Sequence, residues 1–456
     1  MSLISWLREA TKRLILWSCV DVFIRVLVYG YSMYEQVLEN IIVRNWNQKI
    51  VYKKRNILPN SDLDSNISFC FIGPRRSGKS YYLYELKEYL ISKGHKKEEF
   101  IHINFEDVSL IGFSPENFEE ILATYSKLSN NKPIFLLDEI QNVDYWYKYI
   151  RNLIDNQYRV FITGSNSELL SSEIATYLGA RANPVCVYPL SFREYLDFLN
   201  IEYKSKAKQL ENKSKINSVF NEFLEFGGFP EIVGLTDYRK KEILLNYFEL
   251  MLGDVSKRWN INKEDNLKLL IQKIRENIGN ESSVKSLKRA LVFLGNPIGE
   301  KQIYAYLDYL ERAFMIKSIS QYNKSIRKKL FKKSYIIDNG YISLFDVLED
   351  KGLKLENLVY TEMIKIGYEV FYYKDKGECD FILRKDQALI PVQVSYEINS
   401  NNYDREINGL ITSMELLNTS KGVIITNNIS EKKIVSGKEI KLVSFVDWAL
   451  NDYNFN

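Results

Sequence analysis

The sequence predicts an α/β fold built around a mainly parallel sheet, and three observations predict it. Between residues 68 and 188 short apolar runs alternate with helical patterns, the order that parallel strands joined by helical crossovers require. The first run, 68–72, leads straight into Gly73-Pro-Arg-Arg-Ser-Gly-Lys-Ser80, a complete match to G-x-x-x-x-G-K-[ST], and a helical stretch, 81–91, follows it. A later run, 133–137, ends in Asp138-Glu139, two charges that are costly at the end of a buried strand unless they serve.

Taken in order, a loop over 56–66 rich in Asn, Asp and Ser delivers the chain to the first strand. Strands are then expected at 68–72, 100–104, 133–137, 158–163 and 184–188, with gaps long enough for right-handed crossovers. In the glycine-rich motif, Gly73 and Gly78 let backbone N–H groups curl into an anion cradle, Lys79 reaches the β- and γ-phosphates, and the Ser80 hydroxyl can ligate Mg²⁺. The expected nucleotide contacts are therefore Gly73, Pro74, Arg75, Arg76, Ser77, Gly78, Lys79, Ser80 and Tyr81. Asp138 would hold Mg²⁺ through water and Glu139 would orient or deprotonate the attacking water, so the pair implies hydrolysis and not binding alone. A solvated turn is the bland alternative, and the motif upstream disfavours it.

The strand at 158–163 runs into Gly164-Ser165-Asn166-Ser167. Ser165 or Asn166, and Asn166 by preference, would sense the γ-phosphate, although helix capping explains Ser165 and Ser167 as well. Arg181 stands just before the next strand. It is either an ordinary surface arginine or a finger that stabilises charge on a neighbouring subunit's nucleotide, which would make the protein a homo-oligomer.

At 456 residues the chain exceeds what one hydrophobic core serves, and two or three domains are expected. A net charge of +4 excludes a global polyelectrolyte surface, so any basic patch is local. Cys19, Cys70, Cys186 and Cys379 are far apart, which argues against a zinc site or a disulfide framework and for a reducing, cytoplasmic setting. Only His95 and His102 are present, too few for a histidine-rich metal centre. Near the N-terminus Arg8, Lys12, Arg13, Asp21 and Arg25 break the apolar stretch, so no span of about 18 apolar residues forms and no transmembrane segment is expected. One or two amphipathic helices within 3–42 would pack on the body or on a partner chain; peripheral membrane contact through residues 3–30, with Trp6 and Trp17, is the alternative.

Beyond the sheet, helices are expected at 191–199 and 214–225, a sharp turn at Gly227-Gly-Phe-Pro230, and a helical region over 238–315 that contains a helix-turn-helix pattern at 283–294 and 299–310. Lys324, Arg327, Lys328, Lys329, Lys332 and Lys333 follow without an intervening acid. They read as a wing on DNA phosphates or as a solvated hairpin. The last third offers a helix at 355–366 and strands at 368–373, 379–383 and 389–394. Glu356, Glu362, Asp380 and Gln393-Val-Ser395 form its polar set, and an aspartate inside a strand asks for a partner or a metal.

GPRRSGKS at 73–80, INFED at 103–107, IFLLDEIQ at 134–141, ITGSNSELL at 162–170, YPLSFREYL at 188–196, FGGFPE at 226–231, and YIIDNG with ENLVYTE later resemble archaeal and bacterial AAA-type ATPases of unknown function whose C-terminal domain resembles restriction endonucleases. The resemblance spans roughly residues 35 to 430. It implies ATP as the nucleotide and a finger position for Arg181. It implies a P-loop NTPase core with a five-stranded mainly parallel sheet, a helical lid, a winged helix and a nuclease-like α/β domain; the expected bounds are 56–200, 201–265, 266–340 and 341–456, after the N-terminal amphipathic helices over 1–55 read from the residues themselves. Active members of the nuclease-like fold carry Asp and then Glu-x-Lys on the next strand, where this chain has Asp380 and then Gln393-Val-Ser395. The last domain is therefore expected to be catalytically degenerate. The sequence thus points to a Mg²⁺-dependent ATPase that couples hydrolysis to conformational change on DNA. Its rivals are a nucleotide-controlled switch that recruits proteins and an ATP-gated nuclease.

Overall fold

Buried runs at the expected spacing assemble into three sheets in a computed structural model that describes residues 34–55, 57–165, 181–323, 331–345 and 350–455. Most of the segment 3–42, including the membrane-contact reading of 3–30, lies outside the described residues, as do Asn166, Lys324, Arg327, Lys328 and Lys329. Among the described residues no helix is long and apolar enough to cross a membrane. The chain divides into two compact units. Of the described residues, the first holds those of 34–72, 79–164 and 181–185; the second holds 73–78, 165 and those from Cys186 onward.

In the first unit β1 (Ser68–Ile72), β2 (Phe100–Asn104), β3 (Ile134–Asp138), β4 (Arg159–Gly164) and β5 (Ala182–Cys186) form one sheet in the order β2-β3-β4-β1-β5. β1, β2, β3 and β4 pair in parallel, and β1 and β3 are buried along their whole length, which is why they read as continuous apolar runs. Because β4 lies between β1 and β3, Ile72 pairs with Gly164 and Leu137 with Ile162. The carboxyl ends of all three strands therefore share one edge. β5 begins two residues before the expected 184; as the edge strand it tolerates Pro184, which has no N–H to donate. Helix Glu35–Asn47 belongs to this unit, held where Asn45 Nδ2 donates to the His102 carbonyl at 2.9 Å and Lys87 Nζ to the Asn45 carbonyl at 2.5 Å.

The second unit is built on a hydrophobic core that runs from Leu190 to Phe455. Helices Glu264–Glu276, Val284–Phe293 and Glu300–Arg312 accompany a three-stranded sheet in which β8 (Lys332–Ile336) lies between β6 (Glu281–Ser282) and β7 (Ile316–Ser320). Helix Lys351–Lys365 leads into a six-stranded sheet of β9 (Glu369–Lys374), β10 (Glu378–Lys385), β11 (Ala388–Val394), β12 (Lys421–Thr426), β13 (Glu431–Val435) and β14 (Lys438–Ser444), ordered β13-β14-β12-β11-β10-β9. A single bridge from Gln321 to Tyr372 ties the two sheets together.

Two of the motif blocks meet in this unit through one buried carboxylate. Asp338 accepts from Gly228 N–H at 2.8 Å and from Gly340 N–H at 2.9 Å, so FGGFPE and YIIDNG are two halves of one joint. Gly227 sits at φ +72, and a Cβ there would fall 1.7 Å from Asp338 Oδ1. Only glycine fits that position. Burial pushes the Asp338 carboxyl up to about 6.

Candidate nucleotide and hydrolysis site

The carboxyl edge of the first sheet brings four predicted residues together. Lys79 opens helix Lys79–Ser92 directly after Gly78, whose φ of +96 is a glycine conformation, and its ammonium lies 3.8 Å from Glu139 Oε1 with almost no exposure. Asp138, the last residue of β3, is buried, and its carboxylate is hydrogen-bonded by the hydroxyls of Thr163 and Ser80. Glu139 adopts a left-handed backbone, φ 49 and ψ 45, a strained choice for a non-glycine residue. Thr163 holds it there by accepting from Glu139 N–H at 2.9 Å. Gln141 Nε2 donates to Glu139 Oε2 at 2.5 Å.

These contacts set the electrostatics. Burial first, and then the neighbouring Glu139, push the Asp138 carboxyl up to about 6, against the opposing pull of Thr163, Ser80 and Lys79. A buried carboxylate beside a serine hydroxyl is a hard oxygen donor set, which suits Mg²⁺ with its remaining positions filled by water and phosphate. The residues therefore fit that ion.

The loop Gly73–Gly78 groups with the second unit, and there a Cβ on Gly73 would lie 2.1 Å from the Val187 carbonyl oxygen. Its arginine side chains are paired with acids of the same unit. Arg75 Nε pairs with Asp254 Oδ2 at 2.5 Å on helix Asp237–Arg258, and Arg76 lies 3.6 Å from Glu231 and over the Tyr247 ring at 5.5 Å. Both guanidinium groups are spent on acids of the helical body. Tyr81 is exposed on the helix surface.

Arg181 is paired with Asp155, Nε to Oδ1 at 2.6 Å. It lines a cavity of about 710 Å³ together with Ser68, Ile134 and Arg159, the first residues of β1, β3 and β4. That is the amino edge of the sheet, opposite Lys79 and Asp138. Asn166 lies outside the described residues, and the polar side chain of β4 that does reach the acids is Thr163, which the sequence reading passed over.

The second predicted constellation is also assembled, with two corrections. Asp380 Oδ2 accepts from Val394 N–H at 2.9 Å, Gln393 Oε1 accepts from Asp380 N–H at 3.1 Å, and Gln393 Nε2 donates to Glu406 at 2.6 Å. Glu356 accepts from the Tyr335 hydroxyl at 2.8 Å. Ser395 donates instead to the Glu397 carbonyl at 2.9 Å. Glu362 lies elsewhere, accepting from Phe192 N–H at 3.2 Å and paired with Lys365 at 2.8 Å. Lys333, read as a DNA-facing cation, is fully buried, 3.1 Å from Glu378 and 3.8 Å from Asp380. Burial and Glu356 hold the Asp380 carboxyl well above its usual range despite that lysine. Among the described residues no group of three or more His, Cys, Asp or Glu side chains is arranged to hold a metal ion.

Comparison with known proteins finds matches to three consecutive stretches of the chain. Residues 66–196 match an AAA domain, and residues 217–351 and 351–445 match two domains of unknown function. An uncharacterised protein of Methanocaldococcus jannaschii is 36% identical over 391 residues, covering 83% of this chain and 87% of the relative. An uncharacterised protein of Haemophilus influenzae is 31% identical over 390 residues, covering 83% of this chain and 93% of the relative. Among solved structures, a Walker-type ATPase of Pyrococcus abyssi is 17% identical, with a TM-score of 0.41, over 63% of this chain and 93% of that one.

Proposed function

We propose, for a chain that belongs to the archaeal and bacterial family of AAA-domain proteins shared with those Methanocaldococcus and Haemophilus relatives, that it is a Mg²⁺-dependent ATPase whose turnover drives conformational change. One observation carries this reading: Lys79, Ser80, Asp138 and Glu139 converge on one sheet edge, with Thr163 bonded to both acids. Ser80 and Asp138 would hold Mg²⁺, which when bound draws charge from the phosphate oxygens. Lys79 neutralises the β- and γ-phosphates, and Glu139 accepts the proton of the attacking water. Lys79 must exchange Glu139 for phosphate as nucleotide enters, which frees one carboxylate oxygen for that water.

Phosphate charge arriving at Gly73–Gly78 also competes with Asp254 and Glu231 for Arg75 and Arg76. Those ion pairs give the helical body a means to sense nucleotide. A reducing, cytoplasmic setting is part of this reading, supported by the wide spacing of the four cysteines along the sequence. Arg181, at the amino edge, serves as a finger only toward the nucleotide of a second copy. Coupling to DNA is supported by the exposed Lys332 and by the basic run before it, without Lys333.

Steady-state ATP hydrolysis with Mg²⁺, measured with and without single- and double-stranded DNA, tests the proposal. DNA-stimulated turnover supports the DNA-coupled form. Turnover indifferent to DNA moves the assignment to a protein-recruiting switch, and absence of turnover in every arm defeats the enzyme reading.

A further inference from the structure

We propose that Gln141 is the positioning residue for Glu139, an inference that rests on the hydrolytic reading of the site. The Glu139 carboxylate is held from two sides. Lys79 Nζ stands 3.8 Å from one oxygen, and Gln141 Nε2 donates to the other at 2.5 Å. The two partners differ in what happens when a triphosphate binds. Lys79, at the start of helix Lys79–Ser92, gives its charge to the ligand, whereas Gln141 is two residues from Glu139 on the same turn and stays. With nucleotide bound, the amide hydrogen bond is kept.

The turn is suited to that task. Asn142 N–H donates to the Glu139 carbonyl at 3.1 Å and Val143 N–H to the Ile140 carbonyl at 3.1 Å, closing the short helical turn Ile140–Asn142. Thr163 fixes the start of the turn at Glu139 N–H, so the strained left-handed backbone and the amide donor act on the same side chain from opposite ends. An amide is also the right chemistry. It donates one hydrogen bond without adding charge, so it aims the carboxylate yet leaves it able to accept a proton. A lysine there would compete with Lys79, and a glutamate would repel the carboxylate.

The test uses the full chain with Gln141→Met, which keeps length and apolar bulk but removes the donor, and Gln141→His, which restores an N–H. Steady-state kinetics are read beside equilibrium binding of a fluorescent ATP analogue with Mg²⁺, and thermal unfolding confirms that both variants fold. Gln141→Met is expected to lower kcat by about 10- to 100-fold, as misaimed catalytic groups do, with KM and analogue affinity within about two-fold of the parent. Gln141→His is expected to recover part of the loss. A kcat for Gln141→Met within about two-fold of the parent overturns the inference, as does a rise in KM at constant kcat or an equal loss in both variants. If the parent itself lacks turnover that Glu139→Gln abolishes, the hydrolytic reading fails and this inference falls with it.

Discussion

Each unit contains a group in which a buried lysine stands near a buried aspartate on a strand and at least one glutamate, yet the two groups are built for opposite ends. At the end of β3, Asp138 is bonded by the hydroxyls of Thr163 and Ser80, Glu139 is held in a strained backbone, and Lys79 stands 3.8 Å from Glu139 at the start of helix Lys79–Ser92. On β10, Asp380 is bonded by a backbone N–H, and Lys333 is drawn in to 3.1 Å from Glu378 and 3.8 Å from Asp380, over the Tyr372 ring at 5.3 Å. Under the proposed function the first lysine is shared with an incoming phosphate. The second is an internal counter-ion. Perturbed carboxylates beside a lysine at a strand end make a site hypothesis, whereas a buried lysine among carboxylates inside a sheet domain is first read as structure.

The largest effect expected from this contrast is catalytic. Glu139→Gln should lower kcat by about 10³-fold while nucleotide still binds, and Asp380→Asn should leave turnover unchanged, both read by steady-state ATP hydrolysis. A comparable loss in Asp380→Asn would break the comparison. Next comes stability: Lys333→Met leaves buried carboxylates without their cation and should cost about 3 kcal/mol in urea unfolding. A cost under about 1 kcal/mol would mean that those acids are neutral or solvated and that Lys333 is no counter-ion.

Asp338 sharpens the picture as a buried aspartate with a purely backbone role. Asp338→Ala strips acceptors from Gly228 and Gly340 and should cost about 2 kcal/mol near pH 4. Its folded-state pKa is raised to about 6 from an ordinary 3.8, so the folded chain binds the proton more tightly than the unfolded one. That contribution is complete below the ordinary value and is lost as pH rises through about 6. The gap between parent and variant should narrow from pH 4 to pH 7, and a gap that widens would contradict the assignment. The smallest effect belongs to Arg75→Ala, whose partly exposed ion pair with Asp254 should be worth about 1 kcal/mol or less. Its informative readout is limited proteolysis of helix Asp237–Arg258, which should change on adding nucleotide in the parent and not in the variant.

The sequence disclosed whatever is local along the chain. Gly73–Ser80 and the acids after β3 carry their chemistry in contiguous residues, and the strands of the first sheet fall within two residues of the expected positions. Thr163 was hidden because its meeting with Asp138 depends on strand order, and nothing in a βα repeat says that β4 lies between β1 and β3. Lys333 was misread because a run of lysines looks uniformly solvated, whereas β8 is the central strand of its sheet and is buried from Lys333 to Ile336. Lys332 is exposed and its neighbour is buried. Glu362 was avoidable: six residues after Glu356 at about 100° per residue, it points about 120° away on the same helix. Gln141 offered no signal beyond its nearness to Glu139.

The most direct test of the account compares ATP turnover and nucleotide binding in the parent, Lys79→Ala and Glu139→Gln under identical Mg²⁺. The account predicts turnover and binding in the parent, neither in Lys79→Ala, and tight binding without turnover in Glu139→Gln. Turnover that survives in Glu139→Gln at the parent's rate would contradict it.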